Sequence, residues 1–267
     1  MTIRHLAVVM PAYNEAGGIA GFIREIHESV ASLAPQIDII VADDRSTDST
    51  ASVVTALGLD GVQVRTQPAN RGHGPTALAA YRAGLETGAD VIVHVDGDGQ
   101  FRAEDFPRVV AALVSTHADV VHGVRRDRED PWYRRALSSG LRVLVRPFAG
   151  RAIPDINTPL RAYRASALRP LVDAVGVGAI VPHVHFSLAE ARSGMRVRYV
   201  SVRSLPRRGD EAGGTMWDAE GQPKLPPKRL RSFAREALGE VWRLSLRPGA
   251  PLREVEVGWT DRSGGAE

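Results

Sequence analysis

Short apolar runs alternate with stretches of helical period through the first half of the chain. Leu6–Met10 is an apolar run that stops at Pro11, and Ile37–Ala42, Val62–Arg65, Val91–Val95 and Asp119–His122 repeat that pattern. Between them, apolar residues recur three and four positions apart. Ile19, Phe22, Ile23, Ile26, Val30 and Leu33 form the first such series, and Val53, Val54 and Leu57 the second. Thr76–Thr87 carries small residues on one side (Ala77, Ala80, Ala83), and Ala103–Ser115 completes the set. Short apolar runs bounded by turn signals suit buried strands, whereas the longer periodic stretches suit amphipathic helices. Strands separated by helices of about 10–15 residues predict an α/β fold, a mostly parallel Rossmann-like sheet flanked by helices.

After Gly123 the pattern loosens. Trp132–Phe148 has an amphipathic helical period through Leu137, Leu141, Leu144 and Val145. A helix is expected around Val184–Arg192 and a strand over Val197–Val202. Pro206–Pro227 is rich in glycine, proline and charge, which predicts a mobile loop, and Arg229–Leu246 returns to helical spacing. The expected organisation is a catalytic domain over residues 1–205, a flap over 206–227, a C-terminal helical appendage over 228–247 and a frayed tail over 248–267.

Composition narrows the classes. No cysteine is present, which excludes disulfides and thiolate metal sites and makes a reducing cytoplasm the expected compartment. No apolar run approaches the roughly 18 residues that span a bilayer, and no signal peptide is expected. A net charge of +3 is too small for a nucleic-acid binder. The acidic clusters lie in the first 120 residues, while Arg125–Arg253 is rich in arginine and Lys224 and Lys228 are the two lysines. Arginine in place of lysine suits phosphate recognition, with genome composition as the bland alternative.

The strand ends carry the chemistry. Val91–Val95 delivers Asp96 and Asp98 at the carboxyl end of a buried strand, where open α/β sheets bind ligands. Two carboxylates so close repel each other unless a cation sits between them, and Mg²⁺ or Mn²⁺ carrying a diphosphate fits that need. Gly97 and Gly99 leave room for a phosphate or sugar. The first strand ends in Pro11–Glu15, where Tyr13 can stack on a base and Glu15 reach a ribose. The second ends in Asp43–Thr50. Ser46 or Asp48 is expected to cap the next helix, while Asp43 and Asp44 have no such local use, so that one is expected to bond a nucleobase. Asn70-Arg71-Gly72-His73-Gly74 is a turn before a helix, suited to cradle phosphate. An EF-hand is excluded because Phe101 and Pro107 stand where its glycine and glutamate belong.

Together these segments resemble the family 2 glycosyltransferases of the A-type fold. Pro11–Glu15, Asp43–Thr50, Asn70–Gly74 and Asp96–Gln100 match that family's motifs in order. The likeness covers residues 5–215 and is nearest to the polyprenyl-phosphate, dolichyl-phosphate-mannose-synthase-like branch. It implies a nucleotide-sugar donor, UDP- or GDP-linked, and inversion at the anomeric carbon. By resemblance Pro11, Tyr13, Glu15 and Asp44 hold the nucleoside, Asp96 and Asp98 the metal and diphosphate, and Gln100 lies near the sugar. Gly123-Val124-Arg125 resembles the family's Gly-Ser-Arg. Arg134 and Ser138 fall in an acceptor-phosphate stretch, and Asp155–Arg164 matches a further family segment. Arg207, Arg208 and Thr215 correspond to a flap over the diphosphate, stretched here by Asp210–Gly213.

One departure bears on mechanism. The Glu-Asp base and Gln-x-x-Arg-Trp motif of relatives that attack with a sugar hydroxyl are missing, and the region reads Val181–Ser187. A phosphate acceptor is ionised at neutral pH and needs no base, which favours a lipid phosphate. His183 or His185 is the alternative base for a small-molecule hydroxyl acceptor, with surface or packing roles the plainer reading. Trp132–Phe148, with Trp132, Leu137 and Phe148 dipping inward, would give peripheral contact with the inner face of the plasma membrane, a core-packing helix being the alternative. A membrane-protein partner is another possible anchor. A non-catalytic nucleotide-sugar binder is the rival of a different class, disfavoured by the intact Asp96, Asp98 and Gln100.

Overall fold

The computed structural model describes residues 2–126, 146–150, 152–209, 228–253 and 255. Most of Trp132–Phe148, all of 210–227 and most of the tail therefore lie outside the described residues, and so do Arg134, Ser138 and Thr215.

Seven strands form one sheet. They are β1 (His5–Ala12), β2 (Gln36–Asp43), β3 (Val62–Thr66), β4 (Val91–His94), β5 (Val120–Arg126), β6 (Arg161–Arg164) and β7 (Val197–Arg203), in the order β3-β2-β1-β4-β6-β5-β7. Every pairing is parallel except those of β6, which runs antiparallel to β4 and β5. From β1 the chain winds outward to β2 and β3, then returns to place β4 on the other side of β1. The strand order thus reverses between β1 and β4, and ligands of open α/β sheets bind beyond the carboxyl ends at such a point.

Helices cover both faces. On one lie α1 (Ile19–Val30), α2 (Thr50–Thr55) and α4 (Asp105–Ser115); on the other lie α3 (His73–Glu86), α5 (Ala165–Val175) and α6 (Pro182–Arg192). Ile19, Phe22, Ile23, Ile26 and Val30 are all fully buried, so the three-four spacing of α1 is its core stripe. The small face of α3 serves close approach. A Cβ on Gly84 would come within 2.7 Å of Val9 Cγ1, so α3 packs directly on the side chains of β1 and β4 there.

Two elements were not expected from the sequence. The strand β6 is four residues long with arginine at both ends, which hides its buried centre. The helix α5 contains Pro170, a residue that ordinarily interrupts a helix. The C-terminal segment forms α7 (Lys228–Val241), and its last turn widens into a π-helix over Trp242–Leu246. It packs through Val241 and Leu246 on Val184 and Leu188 of α6.

Candidate active site

The site gathers around the ends of β1, β2 and β4. Gly97 N donates to Pro11 O at 3.1 Å, and a Cβ on Gly97 would sit 2.9 Å from that oxygen. Gly97 is therefore demanded first by the closeness of the two strand ends, rather than by clearance for a ligand. Gly99 has φ +69°, and a Cβ there would meet Arg208 Cδ at 2.6 Å. The turn places both carboxylates, half-buried, beside the end of β1.

Their electrostatics suit a cation. Burial and the neighbouring charge of Asp96 push Asp98 up to about 6. Asp96 Oδ1 is buried with no hydrogen-bond partner, and His73 Nε2 lies 3.6 Å from it. Desolvated, mutually repelling and under-partnered oxygens are a donor set that a hard divalent ion would satisfy. Among the described residues no three acid or imidazole groups converge to enclose an ion, so a diphosphate would have to complete the coordination. Asp96 and Asp98 fit Mg²⁺ or Mn²⁺ on those terms.

Glu15 faces the same space. Burial raises it to about 7 against the opposing pull of Arg207, and the charges of Asp98 and Asp96 add to the rise. The Arg207 guanidinium donates to both Glu15 oxygens. Arg208 instead turns away. It grips Glu25 of α1 with two bonds of 2.7 Å and lies 5.3 Å over the Phe22 ring, while its backbone N donates to Asp98 O. Leu205 N and O bond Gln100 O and Nε2, so residues 205–208 are laced along the Asp96–Gln100 turn. The Gln100 side chain is spent on that lacing.

The loops after β1 and β2 are zipped together. Asn14, at φ +55°, accepts from Thr47 N and donates its own N–H to Ser46 Oγ. Thr50 Oγ1 accepts from Glu15 N at 2.8 Å, and Asp48 accepts from Ala16 N. Helix capping explains only part of this: Asp48 does bond Thr50 N at 2.9 Å, but Ser46 bonds Asp43 rather than a helix end. The expectation that Asp43 and Asp44 lack local partners fails. Asp43 accepts from Ser46 N and Oγ, and Asp44 accepts from Arg71 N and Gly72 N at 2.8 Å each. Asp44 thus shapes the turn before α3, where Gly72 takes φ +84° and Asn70 is exposed. Pro11 is buried and Tyr13 half-buried beside it.

On the far side, Arg125 forks onto Asp155 at 2.9 and 3.2 Å and reaches Asn157 O. Beneath it lies a buried polar network that sequence reasoning did not foresee. Arg161, fully buried, bonds the carbonyls of Ile156, Thr158 and His183, the Ser187 hydroxyl, Tyr163 and Glu190. Although burial acts to raise it, Glu190 is held down to about 2 by His122, Arg161 and the Tyr163 hydroxyl. Burial pushes His94 down to about 4 and His183 well below the ordinary histidine range. His183 shares a hydrogen bond with Tyr81, and both nitrogens of His185 are taken by Ser245 and Glu240. These histidines are packed into the protein rather than exposed, and His185 has no ring nitrogen left for a substrate. His73, at the first position of α3, is the site residue that motif reading passed over; a histidine immediately after a cradle glycine was its signal.

A mixed, mostly parallel sheet with an acidic pair at the reversal of strand order defines the glycosyltransferase A-type class. The model for glycosyl transferase family 2 matches residues 7–172, and the chain belongs to that family. Among curated relatives, the undecaprenyl-phosphate 4-deoxy-4-formamido-L-arabinose transferase of Edwardsiella ictaluri is 30% identical over 190 residues, 70% of this chain and 58% of that one. Its counterpart from Sodalis glossinidius is 33% identical over 176 residues, covering 66% and 52%. The chain therefore spans little more than half the length of these relatives. Among solved structures, glucosyl-3-phosphoglycerate synthase from Mycobacterium tuberculosis with Mn²⁺, UDP-glucose and glycerol 3-phosphate superposes with a TM-score of 0.63 at 19% identity, covering 90% of this chain and 79% of the other. At that identity the likeness speaks for the fold.

Proposed function

We propose that the chain is an inverting, metal-dependent glycosyltransferase that moves a sugar from a UDP- or GDP-sugar to a polyprenyl phosphate. The observation that carries this reading is the acidic pair at the strand-order reversal, with Asp96 Oδ1 buried and unpartnered and Asp98 lifted by burial and by Asp96, flanked by Glu15 and Arg207. The names of the two relatives support a lipid-phosphate acceptor, and the Mn²⁺ and UDP-glucose of the solved neighbour support the donor class.

In this reading Pro11, Tyr13 and Asp44 receive the nucleoside, with Asn70 and Gly72 at its edge, and Glu15 meets the ribose. Asp43 keeps Asp44 and its loop in place. Asp96 and Asp98 would hold Mg²⁺ or Mn²⁺, which would supply charge neutralisation at the departing diphosphate. Arg207 exchanges Glu15 for a diphosphate oxygen and adds a second positive charge there, while Arg208 anchors the strap from Glu25. Gln100 fixes the same strap at the sugar end. Arg125, Arg134 and Ser138 orient the acceptor. One of its ionised oxygens attacks the anomeric carbon as the bond to the diphosphate breaks, so configuration inverts and no base is consumed.

A small-molecule acceptor is the second reading, favoured by the phosphoglyceric acid bound in a solved neighbour. Labelled donor offered with polyprenyl phosphate and with phosphorylated small molecules separates the two. Label entering the lipid alone is expected, and label entering only the soluble acceptor would overturn the lipid assignment. Peripheral membrane contact, or a membrane-protein partner, belongs to the same proposal; no described helix is long and apolar enough to cross a bilayer.

A further inference from the structure

We infer that the outer face of α7 is a docking surface for an anionic lipid bilayer, an inference that rests on the lipid-borne acceptor proposed above. Five large apolar side chains are more than a third exposed among the described residues, and three of them, Phe148, Leu238 and Trp242, belong to this region, at 37%, 45% and 53%. At the α-helical turn angle, Arg231, Arg235, Leu238 and Trp242 fall within about 60° of one another around the helix axis. The helix thus carries one stripe that runs from two guanidinium groups to two apolar side chains.

The surroundings make the stripe a surface. Arg192 donates to Phe148 O at 2.7 Å and to Ser245 O at 2.5 Å, which sets the turn bearing Phe148 beside the turn bearing Trp242. Arg243 adds a third exposed guanidinium. None of Arg231, Arg235 and Arg243 has a carboxylate partner among the described residues. Of the acids in the helix, Glu236 stays exposed while Glu240 turns inward.

Glu240 also fixes how the face is presented. Its oxygens accept from Ile180 N, Val181 N and His185 Nε2 at 3.0 to 3.2 Å, and these bonds outweigh burial to keep its carboxyl below the ordinary range. The stripe is thereby tied to the start of α6, whose His183 bonds Tyr81 of α3, the helix that carries His73 to Asp96. The face is thereby joined through α6 and α3 to the residues that border the site.

Charge decides the occupant. A second copy would set the same arginines against each other, and like charges across an interface are repulsive. Exposed tryptophan and leucine among arginines suit the boundary of an anionic membrane, where the rings enter the headgroup layer and the guanidiniums meet phosphate.

The test is flotation of the purified chain with vesicles of phosphatidylcholine alone and with added phosphatidylglycerol, in low and high salt. Binding to the anionic vesicles should exceed binding to the neutral ones at least tenfold and weaken with salt. The double variant Leu238→Ser, Trp242→Ser should lose it at least tenfold while keeping the melting temperature and the nucleoside diphosphate affinity of the unaltered chain. Arg231→Gln with Arg235→Gln should weaken it roughly tenfold or more, as each basic group near such a surface adds about 1 kcal/mol. Equal binding to both vesicles, no binding, or full binding by the serine variant would overturn the inference. So would a concentration-dependent dimer, seen by sedimentation, that the serine variant dissociates. Absence of vesicle binding with intact transfer to polyprenyl phosphate in detergent would remove this inference alone; vesicle binding with no such transfer would remove only the lipid-acceptor reading.

Discussion

Asp98 stands where its own charge is penalised, since burial and Asp96 lift it to about 6 and it is still ionised at pH 7. Asp98→Asn removes that charge at nearly constant volume. In the absence of divalent ions the variant should therefore match or exceed the unaltered protein in stability, by about 1 kcal/mol. It should nevertheless lose transfer by at least a hundredfold, and together thermal melts and donor turnover check both signs. A variant that melts lower yet retains turnover would contradict the account of this carboxylate. The acidic pair was readable in the sequence because it follows a short run of valine and isoleucine interrupted only by His94. The partners of Asp44 were not, because they are the N–H groups of Arg71 and Gly72, 27 and 28 positions away, whereas Asp43 bonds Ser46 three positions on, a contact that sequence reading assigns to a helix cap instead. Arg207 and Arg208 are adjacent in sequence and face opposite ways, toward Glu15 and Glu25, a division that spacing alone does not reveal.

The strap over residues 205–208 and the helix α6 are the elements on which the site leans. Arg207→Ala should leave Glu15 buried without its cation and lower kcat at saturating donor at least tenfold, because charge growing on the departing diphosphate loses a positive partner, and steady-state kinetics check this. Arg208→Ala removes the bond to Glu25 instead, and should lower stability by about 1 kcal/mol with a smaller change in kcat, which melts and kinetics together resolve. Arg161→Met breaks the network joining β6 to α6 and leaves the buried Glu190 with His122 and the Tyr163 hydroxyl but no guanidinium, at a cost of about 3–5 kcal/mol. The parallel strands and α1 were legible because their apolar spacing is regular. The strand β6 was not, because its partly charged sequence is buried only by pairing between β4 and β5. The helix α5 was hidden by Pro170, which tertiary packing of Leu168, Leu171 and Val172 overrides.

Across the molecule, neutral buried histidine couples folding to pH. His122 and His183 are pushed below their ordinary value by burial. The unfolded chain then binds more protons than the native one, so their contribution is fully present above about pH 6.5 and is lost on acidification, by about 1.4 kcal/mol for each unit of depression. Glu190, depressed to about 2, adds a second loss between about pH 4.5 and 2. Melting temperature should hold from pH 8 to 7 and fall below 6.5; a flat profile down to pH 5 would contradict the assignment of neutral buried imidazoles. The pairing of one diphosphate with two carboxylates through a divalent ion is tested by calorimetric titration of UDP and GDP with and without Mn²⁺. One nucleotide should bind tightly with Mn²⁺ and weakly without it, and Asp98→Asn should abolish the difference. Failure of both nucleotides to bind, or binding indifferent to Mn²⁺ and to the substitution, would contradict the account.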